Sequence, residues 1–327
     1  MSAPSAESAV SAQRADSADA ILSFTNVSFT YRGDWLQRVH ALKQVDLTVP
    51  RGSAFGFLGA NGAGKSTSIK LVMGLLHGHQ GDIRLFGQPL GDHRLRASIG
   101  YLPEHPYFYD NLAVGEYLAY MARLSGVSPA AIPAAIDRVC QLLDLADLKK
   151  RMLGSFSKGM RQRFGLAQAI IHQPDLLVLD EPFSGLDPLW RARFREVMAL
   201  ERKRGATLCF STHILSDVED LCDHYGVIDH GVVLEQGRLE DLVKQAPLVL
   251  TGSGPMPAAA MGNHDGTWRW QFPEAEREKK LATLPVGAQI LRLERNRIGL
   301  EDYFVARVKA FHAAGKRLDA PVTGGAA

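Results

Sequence analysis

Hydrophobic and polar residues alternate along the first part of the chain in the manner of β-strands. The stretch ILSFTNVSFTY, which begins at Ile21, alternates apolar and polar residues, and ALKQVDLTVPRG ends in a Pro-Arg-Gly turn. Further strands are predicted at residues 54–58, 83–86, 99–102, 176–179, 207–211 and 225–229, with helical patterns between several of them. This alternation predicts an α/β domain with a largely parallel central sheet.

Two parts of the chain depart from this alternation. Residues 111–153 carry apolar residues at helical spacing, for example Leu118, Met121 and Leu124. They predict a helical subdomain of about residues 106–155 inserted into the α/β core. From residue 246 the chain is first rich in Gly, Pro and Ala, and TGSGPMPAAAMGNHDG is interpreted as a loop. Four patterned segments follow: the alternating TWRWQF, the helical EAEREKKLATL, the strand-like AQILRL and the amphipathic LEDYFVARVKAF. Together they predict a small α+β appendage over residues 246–315.

The aromatic residues of this appendage form a stripe. Trp268, Trp270 and Phe272 fall on one face of the predicted strand, and such a stripe is more often hydrophobic core than a ligand site. Outside the predicted domains, the Ala/Ser-rich residues 1–20 contain few large apolar groups. They predict a flexible tail, as do residues 316–327.

Composition and charge argue against several classes of protein. The 327 residues, 46% hydrophobic and 22% charged, are typical of a globular protein with one large domain or two smaller ones. The net charge of +2 gives no reason to expect nucleic acid as a partner. Cys140, Cys209 and Cys222 form no CxxC pair, which argues against a disulfide framework or a zinc site and favours a reducing compartment. The pattern predicts neither a membrane span nor a secretory signal.

The segment GANGAGKS, residues 59–66, follows a predicted strand and precedes a helix predicted at 66–76. This context indicates a phosphate-binding loop. Glycines let backbone N–H groups close around the β- and γ-phosphates, because side chains would block the approach. Lys65 supplies a cation, Ser66 can ligate Mg²⁺, and the helix N-terminus favours an anion. A glycine-rich turn that binds nothing is the alternative, and the order strand, loop, Lys-Ser-Thr and helix disfavours it.

A second pattern narrows the choice among phosphate-binding-loop kinases, GTPases and motor ATPases. LLVLDEP, residues 176–182, is an apolar strand that ends in two carboxylates. Asp180 at the strand end can hold the Mg²⁺ shell. Glu181 would lie beside the γ-phosphate and could polarise the attacking water. An acidic turn after a strand is common by itself, but it is less expected in combination with a phosphate-binding loop.

These and further motifs resemble, in order, those of the ATP-binding subunit of an ABC transporter. The resemblance covers about residues 21–243. GANGAGKST matches the Walker A motif, and its matching residues are Gly59, Asn61, Gly62, Gly64, Lys65, Ser66 and Thr67. LLVLDEP matches Walker B. Tyr31 matches the aromatic residue that stacks on adenine, and IGYLPE with Glu104 matches the loop joining the core to the helical subdomain. SFSKGMRQRFGLAQAI matches the family signature. SGLDP matches the D-loop, and STH matches the switch histidine.

The resemblance implies a P-loop NTPase fold over residues 21–245 that binds ATP and Mg²⁺. Its core would be α/β with a mostly parallel sheet, an inserted helical subdomain and the small C-terminal appendage. Ser66 and Asp180 would hold Mg²⁺, Glu181 would be the general base, and His213 would hold the γ-phosphate and orient the water. A lone histidine is usually a satisfied core residue, so the role of His213 depends on the family match.

The resemblance also implies a head-to-tail dimer of ATPase subunits. Each ATP would lie between Walker A of one copy and the signature of the other, where Ser157 donates to the γ-phosphate and Gly159 allows close backbone approach. Asp187 would communicate with the opposite site. ATP would hold the dimer together until hydrolysis releases it. A homodimer with two active sites is the simpler prediction, and pairing with a second ATPase remains open.

Two positions depart from the usual family pattern. Glu104 stands where glutamine is usual, and the signature reads Phe156-Ser157-Lys158-Gly159-Met160 instead of Leu-Ser-Gly-Gly-Gln. Lys158 could contact a phosphate or point into solvent, and solvent is slightly favoured. Both variants are similar to those of the subgroup that pairs with separate ABC-2-type exporter permeases. The resemblance therefore implies an integral membrane permease as partner, export as the direction, and a location on the cytoplasmic side of the cell membrane.

Coupling to that partner is expected through the groove beside Glu104. The neighbouring segment EHPYFYDNL places Tyr107, Phe108 and Tyr109 together. They form either a protein interface or a cap on the helical subdomain, and the sequence does not decide between the two.

Two other functions fit these motifs less well. A soluble ABC ATPase acting on the ribosome would usually carry two cassettes in one chain, and one acting on DNA would carry long coiled coils, for which no sustained heptads appear. A P-loop kinase is disfavoured by the signature and by His213. The exporter hypothesis leads, and the cargo is not encoded in these motifs.

Overall fold

The computed structural model describes residues 19–32, 38–245, 247–262, 266–295, 304–305 and 307–313. The chain forms two compact units, Met1–Gln236 and Gly237–Ala327. The domain boundary predicted at residue 245 lies a little beyond this division. The two predicted tails lie outside the described residues, except for Asp19 and Ala20.

The first unit contains ten strands and six α-helices within the described ranges. The strands are β1 (Ala20–Arg32), β2 (Arg38–Pro50), β3 (Ala54–Leu58), β4 (Gln80–Leu85), β5 (Gln88–Pro89), β6 (Ile99–Leu102), β7 (Leu176–Asp180), β8 (Thr207–Thr212), β9 (His224–Asp229) and β10 (Val232–Arg238). The helices are α1 (Lys65–Val72), α2 (Val114–Leu124), α3 (Ile132–Leu142), α4 (Lys158–Ile170), α5 (Pro188–Lys203) and α6 (Leu215–Leu221).

Six strands form the central sheet, in the order β10-β9-β3-β8-β7-β6. The pairs β3–β8, β3–β9, β7–β8 and β6–β7 are parallel. Every residue of β3, β7 and β8 is buried, which explains why these strands are continuous apolar runs in the sequence. The predicted parallel α/β core is confirmed.

A second sheet of the first unit is antiparallel, in the order β2-β1-β4-β5. One hydrophobic cluster joins its inward residues to Phe55 and Phe57 of β3 and to Ile69 and Leu71 of α1. The helix after the phosphate-binding loop is therefore fixed against both sheets. It ends before Gly74, whose φ of 68° favours glycine. It is accordingly shorter than the helix predicted at 66–76.

The inserted segment is helical, as expected. Phe108 packs edge-on against Tyr117 of α2 and Phe164 of α4, at centroid distances of 5.6 and 4.8 Å. Tyr107 and Tyr109 are 94% and 63% exposed. Phe108 therefore caps the helical subdomain, and the ring of the partly exposed Tyr109 lies 6.1 Å from that of Tyr117 on the same subdomain. A protein interface at Tyr107 stays a prediction.

The second unit is a small α+β structure. It contains α7 (Leu239–Gln245), β11 (Leu248–Ser253), β12 (Met261–Gly262), β13 (Thr267–Phe272), α8 (Arg277–Ala282) and β14 (Gln289–Arg295). The strands form an antiparallel sheet in the order β12-β13-β11-β14. Trp268, Trp270 and Phe272 are buried in its core, as predicted. Helical residues follow at 304–305 and 307–313, and the other residues of LEDYFVARVKAF lie outside the described ranges.

The loop interpretation of TGSGPMPAAAMGNHDG was wrong at its start. Thr251 to Ser253 complete strand β11, and Met261–Gly262 form β12. Gly252 pairs with Trp268 on β13, and a Cβ at Gly252 would lie 2.2 Å from that indole ring. The glycine belongs to the strand because a larger residue would collide with the tryptophan.

Candidate functional site

The phosphate-binding loop has a backbone that requires glycine. Gly62 and Gly64 have φ values of 81° and 117°, in the left-handed region that favours glycine. A Cβ at Gly59 would lie 2.3 Å from the carbonyl oxygen of Ile228. Helix α1 begins directly after Gly64 without a side-chain cap. Its first N–H groups are therefore available to an anion, which fits a bound phosphate.

Lys65 lies over this loop and is buried. Its ammonium group donates hydrogen bonds to the carbonyl oxygens of Gly59 (2.6 Å) and Ala60 (3.2 Å). It also lies 3.5 Å from Oε1 of Glu181. That carboxylate oxygen is buried and has no hydrogen-bond partner. The charged groups that would meet a γ-phosphate and a water are thus held next to each other.

The carboxyl end of β7 supplies the acidic residues. Ser66 Oγ donates to Oδ1 of Asp180 at 3.2 Å, so a hydroxyl and a carboxylate converge where two oxygen ligands could hold Mg²⁺. Glu181 follows with a φ of 46°, an uncommon value for a residue with a side chain. Backbone strain of this kind is concentrated at functional sites.

Ser211 holds the Asp180 carboxylate and the backbone of Glu181, and the sequence did not indicate a role for it. Its hydroxyl donates to Asp180 Oδ1 and accepts from the backbone N–H of Glu181 at 3.0 Å. Parallel pairing places Ser211 of β8 beside Asp180 of β7. The sequence feature that could have indicated this role is the position of Ser211 in the STH motif, at the end of a buried strand. The sequence also did not indicate that Tyr101 of β6 lies near Asp180. Burial, with a smaller effect of the Asp180 charge, raises the pKa of Tyr101 to about 12.

His213 completes the group at this sheet edge. Its Nδ1 lies 2.9 Å from Oε2 of Glu181, and its side chain is half exposed. The preceding Thr212 accepts a hydrogen bond from the N–H of Ile214 at 3.0 Å, which shapes the turn that carries the histidine. The structure therefore does not support a satisfied core histidine at this position.

A cavity of about 300 Å³ opens on these groups. Its lining residues are Ala60, Asn61, Gly62, Gly64, Lys65, Ser66, Thr67, Glu104 and Glu181. Tyr31 stands beside it, with its hydroxyl 3.3 Å from Thr67 Oγ1. The cavity thus brings together the predicted Walker A residues with Glu104 and Glu181.

The signature and D-loop residues lie outside this lining. Ser157 caps α4 by accepting from Met160 N at 3.3 Å, and Asp187 caps α5 by accepting from Trp190 N at 2.9 Å. Gly159 lies near Gly185, because a Cβ added at Gly159 would be 3.8 Å from the carbonyl oxygen of Gly185. Lys158 is exposed, and its aliphatic stem lies along Gly185.

Comparison with known proteins agrees with this geometry. Residues 42–184 match the family model described as ABC transporter. An ABC transporter ATP-binding protein of Synechocystis sp. is 36% identical over 295 residues, which cover 86% of this chain and 83% of that protein. The chain belongs to the ABC transporter ATP-binding proteins.

Further relatives support this assignment. The bacitracin transport ATP-binding protein BcrA of Bacillus licheniformis is 34% identical over 283 residues, covering 81% of this chain and 91% of that protein. A solved structure of an ATP-binding subunit of an ABC transporter superposes with a TM-score of 0.63 and 33% identity, over 69% of this chain and 92% of that one. This ABC transporter ATP-binding protein is an ATPase and a subunit of a transporter.

Proposed function

We propose that this subunit powers a separate membrane permease of the ABC-2 exporter type from the cytoplasmic face of the cell membrane. Two observations support export. The relatives named BcrA are bacitracin transport proteins, and the chain carries Glu104 and Lys158 at the two departures from the usual pattern. Among the described residues, no helix is long and apolar enough to cross a bilayer.

The observation that carries the catalytic proposal is the placement of Glu181 between Lys65 and His213. Glu181 is the general base that takes the proton of the attacking water, and His213 orients the water and contacts the γ-phosphate. Lys65 neutralises phosphate charge, and the uncapped N–H groups of α1 bind phosphate oxygens. Ser66 and Asp180 would hold Mg²⁺, which would neutralise charge that develops on the phosphates. Tyr31 stacks on the adenine, and Glu104 approaches the water and metal from the side of the helical subdomain.

A dimer completes this site in the proposal. Ser157 and Gly159 lie outside the lining of the nucleotide cavity, although α4 places Ser157 at a helix N-terminus that can face an anion. We therefore place them on the γ-phosphate of a second copy, in a head-to-tail homodimer with Asp187 at the interface. A solved ATP-binding cassette of the same fold is a dimer in a post-hydrolysis state bound to ADP and phosphate, which supports this arrangement.

Affinity capture tests the partner. We expect the Glu181→Gln variant to bind ATP and hydrolyse it very slowly. A tagged copy is therefore expressed in the native host and recovered from membranes solubilised gently with ATP. The expected result is one polytopic membrane protein in stoichiometric amount. The matched control is Lys65→Ala, which weakens nucleotide binding and should lose that partner in ATP-dependent capture. Ribosomes or DNA-associated proteins without a membrane protein would contradict the exporter proposal and favour the soluble alternative.

A further inference from the structure

One buried carboxylate near the site has no role in the chemistry above. Asp217 lies in the first turn of α6, four residues after His213, and its side chain is 1% exposed. Neither of its carboxylate oxygens has a hydrogen-bond partner. Burying an unpartnered carboxylate costs free energy of folding, so its presence requires an explanation.

Two arginines of α5 lie near this carboxylate. Nη1 of Arg191 is 3.8 Å from Oδ1 of Asp217, within ion-pair range but too far for a hydrogen bond. Nε of Arg195, one turn further along α5, is also buried without a hydrogen-bond partner. Burial raises the pKa of Asp217, while Arg191 and Arg195 act in the opposite direction. Arg195 also pairs through Nη2 with Asp220 of α6 at 3.4 Å. The two helices therefore face each other with charged groups that are only partly hydrogen-bonded.

The ends of these two helices connect this pair to the site. Helix α6 follows His213, whose Nδ1 contacts Glu181 at 2.9 Å. Helix α5 starts at its N-cap, Asp187, and Arg191 lies one turn later. A small approach of α6 to α5 would shorten the Arg191–Asp217 contact into a hydrogen-bonded ion pair.

We propose that Asp217 is a positioning residue that couples the His213 segment to the Asp187 segment through Arg191 and Arg195. The inference rests on the proposed function, in which His213 contacts the γ-phosphate and Asp187 faces the second copy. When the phosphate draws in His213, α6 carries Asp217 toward the arginines, and α5 shifts the D-loop. Each site thereby transmits the presence of its ATP to the dimer interface.

The raised pKa of Asp217 separates this role from a purely structural one. Because the folded-state pKa lies above the unfolded value, the native state binds the proton more tightly. Stability therefore falls as pH rises from 3.8 through the folded pKa, so the buried carboxyl group opposes folding above that range. We expect Asp217→Asn not to lower the melting temperature, whereas a structural ion pair would be destabilised by the same change.

Hydrogen exchange of the full chain tests the coupling. The matched control is Glu219→Gln, which removes a carboxylate from the exposed face of α6. With a non-hydrolysable ATP analogue and Mg²⁺, residues 59–67 should become protected from exchange in the unmodified protein, in Asp217→Asn and in this control. Residues 183–190 should gain protection in the unmodified protein and the control but not in Asp217→Asn. In steady-state assays, kcat of Asp217→Asn should fall by about two- to thirtyfold with KM within about twofold, and Asp217→Glu should retain most of the activity.

Equal protection of residues 183–190 in Asp217→Asn and the unmodified protein would overturn the proposal. The proposal would also be overturned if the loss of kcat in the double variant equalled the combined losses in Asp217→Asn and Arg191→Gln. Effects of two residues that act through one contact are not additive. Absence of protection at residues 59–67 in the unmodified protein would defeat the nucleotide site and this inference together. Failure to capture a permease would defeat only the exporter proposal.

Discussion

Nδ1 of His213 lies 2.9 Å from Oε2 of Glu181, while Oε1 of the same carboxylate lies 3.5 Å from the ammonium group of Lys65. The side chains of Lys65 and Glu181 are only 6% and 11% exposed, so solvent ions screen their attraction weakly. A γ-phosphate entering the loop would compete with Glu181 for Lys65. Binding of ATP would therefore release the carboxylate toward the attacking water, which links occupancy of the site to activation of its base.

Replacing Glu181 by glutamine tests the base. The amide cannot accept the proton of the water, so we expect kcat to fall by about 10²- to 10⁴-fold. ATP affinity should not fall, because the competing charge beside Lys65 is removed. Phosphate release and nucleotide binding measure the two effects. The control is Glu196→Gln on α5, whose side chain is 62% exposed and pairs with Arg193. Hydrolysis by Glu181→Gln within tenfold of the unmodified rate would exclude Glu181 as the base.

Two substitutions at Tyr31 separate stacking from hydrogen bonding. Tyr31→Ala removes the ring and should weaken ATP binding by about 1–3 kcal/mol, the usual value of stacking a base on an aromatic side chain. Tyr31→Phe loses only the 3.3 Å contact with Thr67 and should bind ATP within about threefold of the unmodified protein. Titration with a fluorescent ATP analogue measures both affinities. Similar losses in the two variants would argue that the ring does not stack on adenine.

The three cysteines should be unreactive in the folded protein. Burial raises the pKa of Cys209 to about 12, that of Cys222 well above its usual range, and that of Cys140 to a lesser extent. At pH 8 the reactive thiolate is therefore a small fraction of each group. A thiol reagent should label the native chain slowly and all three residues after denaturation. Cys140 and Cys209 are buried and Cys222 is half-buried. Rapid labelling of Cys140 or Cys209 in the native protein would contradict this prediction.

The core of the second unit is sensitive to loss of Trp268. Its side chain is 1% exposed, so Trp268→Ala should cost about 3–5 kcal/mol of the free energy of unfolding of that unit. Met261→Ala, at a residue that is 79% exposed, is the matched control and should cost less than about 1 kcal/mol. Denaturant unfolding followed by tryptophan fluorescence measures the change. An equal cost for the two variants would contradict the packing described for this sheet.

The sequence predicted the central strands well because they are buried on both faces. Strands β3 and β6 begin and end where the apolar runs do, and β7 and β8 extend one residue further. The end of β11 was missed because Thr251, Gly252 and Ser253 have local preferences typical of a loop. Pairing of Gly252 with Trp268 overrides those preferences, and this long-range contact has no local signature.

The site was predicted in part. Parallel strands end at one sheet edge, so Lys65, Ser66, Asp180 and Glu181 come together as their motifs indicated. The positive φ of Glu181 and the bridging hydrogen bonds of Ser211 depend on the register of β7 and β8, which the sequence alone did not define. The roles of Ser157, Gly159 and Asp187 stay predictions, because they depend on a second copy of the chain.

In the proposed dimer, ATP binds between the phosphate-binding loop of one copy and the signature of another. Two single-cysteine proteins test it in the Glu181→Gln background, one carrying Asn61→Cys and the other Lys158→Cys, with a short thiol crosslinker and ATP with Mg²⁺. We expect crosslinked dimers in the mixture of the two proteins, few in either protein alone, and none without ATP. Crosslinking that ignores ATP, or that is as strong in one protein alone as in the mixture, would contradict the head-to-tail arrangement.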